Sequence, residues 1–150
     1  MRVHILATLL LGLSAIPVNA EPITPGETSG IGAIGGAMGY ATSPWLNHAL
    51  RDLGTNPTGW SRRWCAMSVN LWLQQSGKRG CGGNTAISCL KAGRRLSGPK
   101  VGTLAVMAHH VGIVKAVNGN SLTLVSGNHN RKVGIGSYSR ARVVAYVWPD

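Results

Sequence analysis

Apolar residues in this chain change their spacing near Val101, from a helical period to short strand-like runs. Upstream of that residue, apolar side chains recur every three or four positions between polar ones, which predicts helices. Downstream, runs rich in β-branched residues are separated by turn residues, which predicts antiparallel strands. Helices followed by a meander of strands predict an α+β fold, in which the N-terminal helices pack on a small antiparallel β-sheet.

The individual elements can be placed from the same spacing. The predicted helices cover residues 44–53, 61–77 and 84–92, and the predicted strands cover residues 102–107, 110–117, 121–125 and 142–148. Trp45 and Ala49 are expected to face inward on the first helix. Asn118, Gly119 and Asn120 predict a tight hairpin turn between the second and third strands.

The second predicted helix has a signal at each end. Ser61 suits the N-cap position, and Gly77 suits the position just past the C-terminal end. Trp64, Met67 and Leu71 follow the helical period, so we expect them to form the stripe that anchors this helix in the core.

Cys65 would lie in the first turn of this helix. Free backbone amides and the positive end of the helix dipole favour a thiolate there, and Arg62 and Arg63 just upstream add positive charge. A cysteine in such surroundings suits a nucleophile. The alternative is a small buried hydrophobic side chain, which is a common use of a free cysteine.

The chain contains three cysteines, so a single disulfide leaves one thiol free. Cys81 and Cys89 are the natural pair, because they flank a glycine-rich loop and a short helix and lack the helix-start position of Cys65. Three reduced thiols remain the alternative, since sequence spacing does not determine disulfide geometry.

A thiolate nucleophile needs a base to carry protons, and the base needs a group that orients it. His110, at the start of H-V-G-I-V, is the candidate base. His109 is hard to separate from it, because adjacent strand residues face opposite sides and only one can face the helix. Asn128 ends the next strand, at the same end of the hairpin, and is the candidate orienting residue. His129 is its rival.

Other chemistries lack their residues in this sequence. No H-E-x-x-H or C-x-x-C motif is present, so we expect neither a metal nor another cofactor. The carboxylates are Glu21, Glu27, Asp52 and Asp150. Few of these fall in the folded part, so the paired carboxylates of a glycosidase are not expected.

The N-terminal region predicts export. Residues 1–20 read as a cleaved signal peptide, with Arg2 before an apolar run and small residues ending at Ala20. Residues 21–42 read as a flexible linker rich in Gly and Pro, and residues 43–150 as one folded domain. The mature protein is expected to begin near Glu21, to lie in the periplasm or outside the cell, and not to stay inserted in a membrane.

The chain is strongly basic, with a formal net charge of +11 at pH 7. Such a charge attracts polyanions, including nucleic acid, lipid headgroups and anionic cell-wall polymers. Export and the scattered placement of the basic residues argue against nucleic acid as a partner. An anionic wall polymer fits the composition better.

Four segments in order carry a family resemblance: W-C-A-M-S-V-N, H-V-G-I-V, S-G-N-H-N and Y-V-W-P. Together they resemble small exported members of the NlpC- and CHAP-type branch of papain-like cysteine hydrolases. The resemblance implies a cysteine at a helix N-terminus packed against a sheet that bears the histidine. It also implies Cys65 as nucleophile, His110 as base and Asn128 as orienting residue.

The activity implied by this resemblance is hydrolysis of amide bonds in the peptides of peptidoglycan, as an endopeptidase or an amidase. Many relatives carry Glu or His in the third role, where this sequence offers Asn128 or His129. A non-catalytic, basic cell-wall-binding module on the same fold is the alternative from a different functional class.

Overall fold

The computed structural model describes residues 43–150, so the predicted signal peptide (residues 1–20) and linker (residues 21–42) lie outside the described residues. The elements in chain order are α1 (Pro44–Arg51), α2 (Cys65–Gln75), a 3₁₀ helix (Ala86–Lys91), β1 (Gly93–Leu96), β2 (Leu104–Met107), β3 (Val111–Asn118), β4 (Ser121–His129), β5 (Lys132–Ser139), a 3₁₀ turn (Arg140–Arg142) and β6 (Val143–Pro149). The predicted α+β class is confirmed.

The strands form one six-stranded sheet in the order β1-β6-β2-β3-β4-β5. Every neighbouring pair is antiparallel. The predicted hairpin is present, because Asn118 pairs with Ser121 and Gly119 adopts a φ of 55°.

Strands β1 and β5 were not predicted, and they are the two edges of the sheet. An edge strand is solvated along one side, so it tolerates residues that a central strand does not. Strand β1 has the sequence GRRL and β5 has the sequence KVGIGSYS. Neither sequence carries the β-branched and apolar enrichment on which the strand prediction relied.

The sheet separates two apolar clusters. Along β2, Leu104 and Val106 join the helices in the larger cluster, whereas Ala105 and Met107 belong to the smaller one. This alternation follows from the two-residue period of a strand. We call the side of the sheet that packs against α1 and α2 the helix face, and the side that carries Ala105 and Met107 the second face.

Helix α2 begins at Cys65 rather than at Ser61, and Trp64 occupies the N-cap position without a side-chain cap. Arg63 has a φ of 53°, which is outside the helical region and ends the helix on its N-terminal side. The C-terminal prediction is confirmed. Gly77 has a φ of 66°, and the amides of Gly77 and Lys78 donate to the carbonyls of Gln74 and Leu73, as in a Schellman motif.

The buried stripe of α2 agrees with the prediction at Trp64, which is fully buried, and differs from it further along the helix. The fully buried members include Val69, Trp72 and Leu73, whereas Met67 and Leu71 are only partly buried. Apolar residues occur around most of this helix, so the helical period alone did not select the face that packs on the sheet.

The other two helices also differ from the prediction, one in length and one in type. Helix α1 is shorter than predicted, with Trp45 and Ala49 buried as expected. The third helix is a 3₁₀ helix in which the Thr85 side chain accepts a hydrogen bond from the Ser88 amide. Over residues 43–150, no helix has both the length and the apolar character needed to cross a membrane.

Candidate functional site

Cys65 is the first residue of α2 and is 6% exposed. Its position in the first turn places it among backbone amides that have no partner within the helix. The Ser68 hydroxyl donates a hydrogen bond to the Cys65 carbonyl oxygen at 2.8 Å, which holds the backbone of this first turn. The predicted placement of Cys65 at a helix start is confirmed.

The other two cysteines form the Cys81–Cys89 disulfide, as expected for the natural pair. Cys65 is the free cysteine of the described chain. Asn70 of α2 ties the disulfide loop to the helix, because its Oδ1 accepts from the Cys81 amide at 2.6 Å and its Nδ2 donates to the Gly83 carbonyl at 2.8 Å. The loop is thereby held beside the helix that carries the thiol.

A cavity of about 340 Å³ opens at Cys65. We call it the thiol cavity; it is lined by Arg63, Cys65, Asn84, Thr85, Ala86, Ala108 and His109. His109 lies in the bend between β2 and β3 and is exposed. The structure therefore brings Cys65, His109 and Asn84 to the wall of one cavity.

His110 lies away from this cavity, on the second face. Its Nε2 is 3.2 Å from the hydroxyl of Tyr138, and its ring stacks on the ring of that residue. Tyr138 pairs across the sheet with Leu122 and packs against the cluster on the second face. His110 is thus not among the residues that line the thiol cavity, whereas the neighbouring His109 is.

The pKa of His110 is lowered from 6.5 to about 4, mainly by burial and to a lesser extent by Coulombic interactions with His129 and Arg142. An imidazole with this pKa holds a proton weakly at neutral pH, whereas a catalytic base works best with a pKa near the operating pH. Its place on the second face and its low pKa both make His110 a weak candidate for the base.

A β-bulge in β4 comprises Gly127 and Asn128 and lies directly before His129. Ser126 pairs with Gly134 and His129 pairs with Lys132, so Gly127 and Asn128 together oppose a single residue of β5. A Cβ on Gly127 would come within 2.7 Å of Trp64 Cζ3, which shows that this part of the bulge packs against the start of α2.

His129 turns onto the second face. Its Nδ1 is 3.3 Å from the Tyr138 hydroxyl, and a Cβ on Gly136 would come within 2.8 Å of its Cε1. His110 and His129 therefore flank the same hydroxyl group. Sequence reasoning missed Tyr138, although its place in the alternating pattern G-I-G-S-Y could have indicated a side chain on the glycine-lined face.

Asn128 lies in a second cavity of about 550 Å³, lined by Ser61, Arg62, Arg63, Asn128, Asn130 and Arg131. We call it the arginine cavity. Cys65, His110 and Asn128, expected to form one catalytic group, are thus distributed over the thiol cavity, the second face and the arginine cavity.

Residues 43–150 contain no group of three or more His, Cys, Asp or Glu side chains placed to hold a metal ion. No protein family profile matches this chain, and no curated protein or solved structure is detectably similar to it.

Proposed function

We propose that this protein is an exported thiol hydrolase that cleaves amide bonds in the peptides of peptidoglycan, with Cys65 as nucleophile and His109 as general acid and base. One observation carries the proposal: the free cysteine at the first residue of a helix lines the same cavity as a histidine. Among general bases, histidine is the commonest partner of a cysteine nucleophile.

In the first half of this mechanism, His109 takes the thiol proton and Cys65 Sγ attacks the carbonyl carbon of the substrate amide. The tetrahedral intermediate collapses as His109 gives its proton to the leaving amine, and a thioester to Cys65 remains. Water, deprotonated by His109, then attacks the thioester. The carboxylic acid product leaves, and the proton returns to the thiol, so that the enzyme is regenerated.

Two groups in the thiol cavity suit the negative charge that develops on the carbonyl oxygen. The Cys65 backbone amide lies in the first turn of α2, where amides lack partners within the helix. Asn84 lines the same cavity, and the side chain of an asparagine can donate from its amide nitrogen. Donors placed in this way typically account for a factor of about 10²–10³ in kcat.

Of the trio implied by the family resemblance, the proposal keeps Cys65, replaces His110 and gives Asn128, which lines the arginine cavity, no orienting role. His109 replaces His110 as the base, because His109 lines the thiol cavity and His110 hydrogen-bonds on the second face. The arrangement in which a helix bearing Cys65 packs against an antiparallel sheet supports a papain-like fold of the NlpC/CHAP type.

The choice of peptidoglycan rests on chemistry and on the sequence resemblance. The folded part contains Asp52 and Asp150 as its carboxylates, so its net charge is strongly positive. A positive surface attracts the carboxylates of wall peptides. The Cys81–Cys89 disulfide suits the oxidising compartment in which an exported protein resides.

The second candidate function is a non-catalytic module that binds the wall. The arginine cavity favours it, because that cavity suits an anion whether or not the thiol reacts. Digestion of purified peptidoglycan by the protein of residues 21–150, followed by mass spectrometry of the released peptides, separates the two functions. New amine and carboxyl termini that disappear with Cys65→Ala support hydrolysis. Wall binding without new termini supports the binding module.

A further inference from the structure

All six residues that line the arginine cavity are of polar types, and three of them are arginines: Arg62, Arg63 and Arg131. No carboxylate is among the lining residues. A guanidinium group presents its donors in a planar fork that matches a carboxylate, so arginine is the residue best suited to bind one at two points.

Carboxylates elsewhere in the described chain do not neutralise this cavity. Asp52 Oδ2 accepts a hydrogen bond from Trp72 Nε1 at 2.8 Å, near the C-terminal end of α1. The carbonyl oxygen of Asp150 accepts from the Arg79 amide at 2.8 Å, at the end of β6. Neither residue lines the arginine cavity. The positive charge of its arginines would therefore be balanced by an anion from outside residues 43–150.

The backbone of the cavity is unusual. Within residues 43–150, the non-glycine residues with positive φ are Arg63, Asn128, Asn130 and Arg131, with φ values of 53°, 58°, 53° and 63°. All of them line the arginine cavity. The tight turn between β4 and β5 requires positive φ at Asn130 and Arg131, but glycine is the residue that adopts it most easily at the second position.

Arg131 therefore occupies a turn position that glycine would fill without a steric penalty. A non-glycine residue in the left-handed region costs about 1 kcal/mol or more. Arg63 likewise departs from helical backbone immediately before α2. The chain thus places guanidinium groups at this cavity in spite of a conformational cost, which is typical of binding sites.

The arginine cavity adjoins the thiol cavity. Arg63 lines both of them, so the two cavities meet at this residue. A peptide whose amide bond reaches Cys65 can therefore extend a neighbouring group into the arginine cavity.

We propose that the arginine cavity is a subsite that binds a free carboxylate group of the substrate peptide, flanking the amide bond held in the thiol cavity. The carboxylate-binding role stands on the arginines themselves, whereas its position relative to a cleaved bond rests on the proposed hydrolase function. The substrate class is then a wall peptide with an unamidated carboxyl group near the scissile bond.

The test measures binding separately from cleavage. The Cys65→Ser protein is titrated by calorimetry with soluble peptides released from purified peptidoglycan, before and after their carboxyl groups are amidated with a carbodiimide and ammonia. We expect the untreated peptides to bind at least about tenfold more tightly than the amidated ones, as for the loss of one hydrogen bond to a charged group.

Arg131→Gly is the decisive variant, because glycine accepts the φ of 63° at this turn position while the side chain that carries the guanidinium group is removed. It should weaken the binding of untreated peptides by about tenfold and leave the binding of amidated peptides unchanged. Arg62→Gln should likewise weaken the binding of untreated peptides. Arg95→Gln is the matched control, since Arg95 is exposed on β1, at the opposite edge of the sheet.

Three results would overturn the subsite: equal binding of the untreated and amidated peptides, no binding of either preparation, or an Arg95→Gln variant that weakens binding as much as Arg131→Gly does. The hydrolase function is tested apart from this, by the new termini that the unmodified protein releases. Carboxylate-dependent binding without new termini would retain the subsite and refute the hydrolase. New termini together with binding that does not depend on the carboxylates would retain the hydrolase and refute the subsite.

Discussion

The ring of His110 stacks on the ring of Tyr138, with the two centroids 5.3 Å apart and the planes inclined by 17°. The same tyrosine hydroxyl lies between His110 Nε2 and His129 Nδ1. Of His109, His110 and His129, the last two thus contact the same tyrosine on the second face. This leaves His109 as the histidine at the thiol cavity.

His109→Gln should reduce the hydrolysis of wall peptides by about 10²–10⁴-fold, which is the contribution expected from a general acid or base. His110→Gln should keep most of the activity, because His110 does not line the thiol cavity. Rates are compared on the same peptidoglycan digest, with thermal unfolding to check the fold of both variants. The reverse ranking would restore His110 as the base.

Cys65 should be alkylated by iodoacetamide in the folded protein, because it lines an open cavity at a helix start. Cys81 and Cys89 should remain unlabelled until a reductant is added, since they are joined by a disulfide. Peptide mapping by mass spectrometry locates the label. A free thiol at Cys81 in protein purified without reductant, or an unreactive Cys65, would contradict this.

Stability should fall as the pH is lowered from 7 towards 4. The pKa of His110 is lowered from 6.5 to about 4 in the folded protein, so between these values the unfolded chain binds a proton that the folded chain does not. The free energy of unfolding therefore decreases on acidification through this window, by on the order of 3 kcal/mol at most from His110. Below about pH 4 its contribution should level off.

Urea unfolding at pH 7, 5.5 and 4 measures this dependence. His110→Phe is the control, because phenylalanine retains a ring to stack on Tyr138 and cannot titrate. The variant should show a shallower decrease in stability than the unmodified protein over the same range. An identical slope in both proteins would mean that other groups account for the effect.

Asn128→Ala should lower activity by a moderate factor, whereas His129→Ala should leave the rate nearly unchanged. Asn128 lines the arginine cavity, and His129 lies on the second face. Asn128→Gly distinguishes a side-chain role from a backbone role, because glycine accepts the φ of 58° at this position. If His129→Ala removes activity while Asn128→Ala does not, the second face takes part in the reaction.

Gly127→Ala should destabilise the fold by about 1–3 kcal/mol, as for other overpacked core positions. The new Cβ would collide with the Ser68 hydroxyl, which hydrogen-bonds to the Cys65 carbonyl, and would crowd the Trp64 ring. Activity should fall with stability, because the first turn of α2 must move. Gly98→Ala is the control, since its Cβ would meet nothing within 4 Å. Equal stability of the two variants in urea would contradict the tight packing.

The sequence sufficed for features that depend on local chain properties. Alternating and helical spacing identified α1, α2 and the central strands, and Gly77 marked the end of α2 because glycine adopts positive φ at little cost. The helix-start position of Cys65 and the Asn118–Ser121 hairpin are local in the same sense. Even the pairing of Cys81 with Cys89 followed from the special place of Cys65.

Tertiary structure decided which side of an element faces which partner. His109 and His110 are adjacent in sequence, and the pairing of β2 with β3 assigns one to the thiol cavity and the other to Tyr138. At Asn128 and His129, the β-bulge likewise determines which of the two residues lies on the second face. A shift of one residue reverses the face of a strand residue, and the packing of α2 against the sheet fixes that register. Spacing along the chain therefore named the candidate side chains, but only the assembled sheet determined which of them meet.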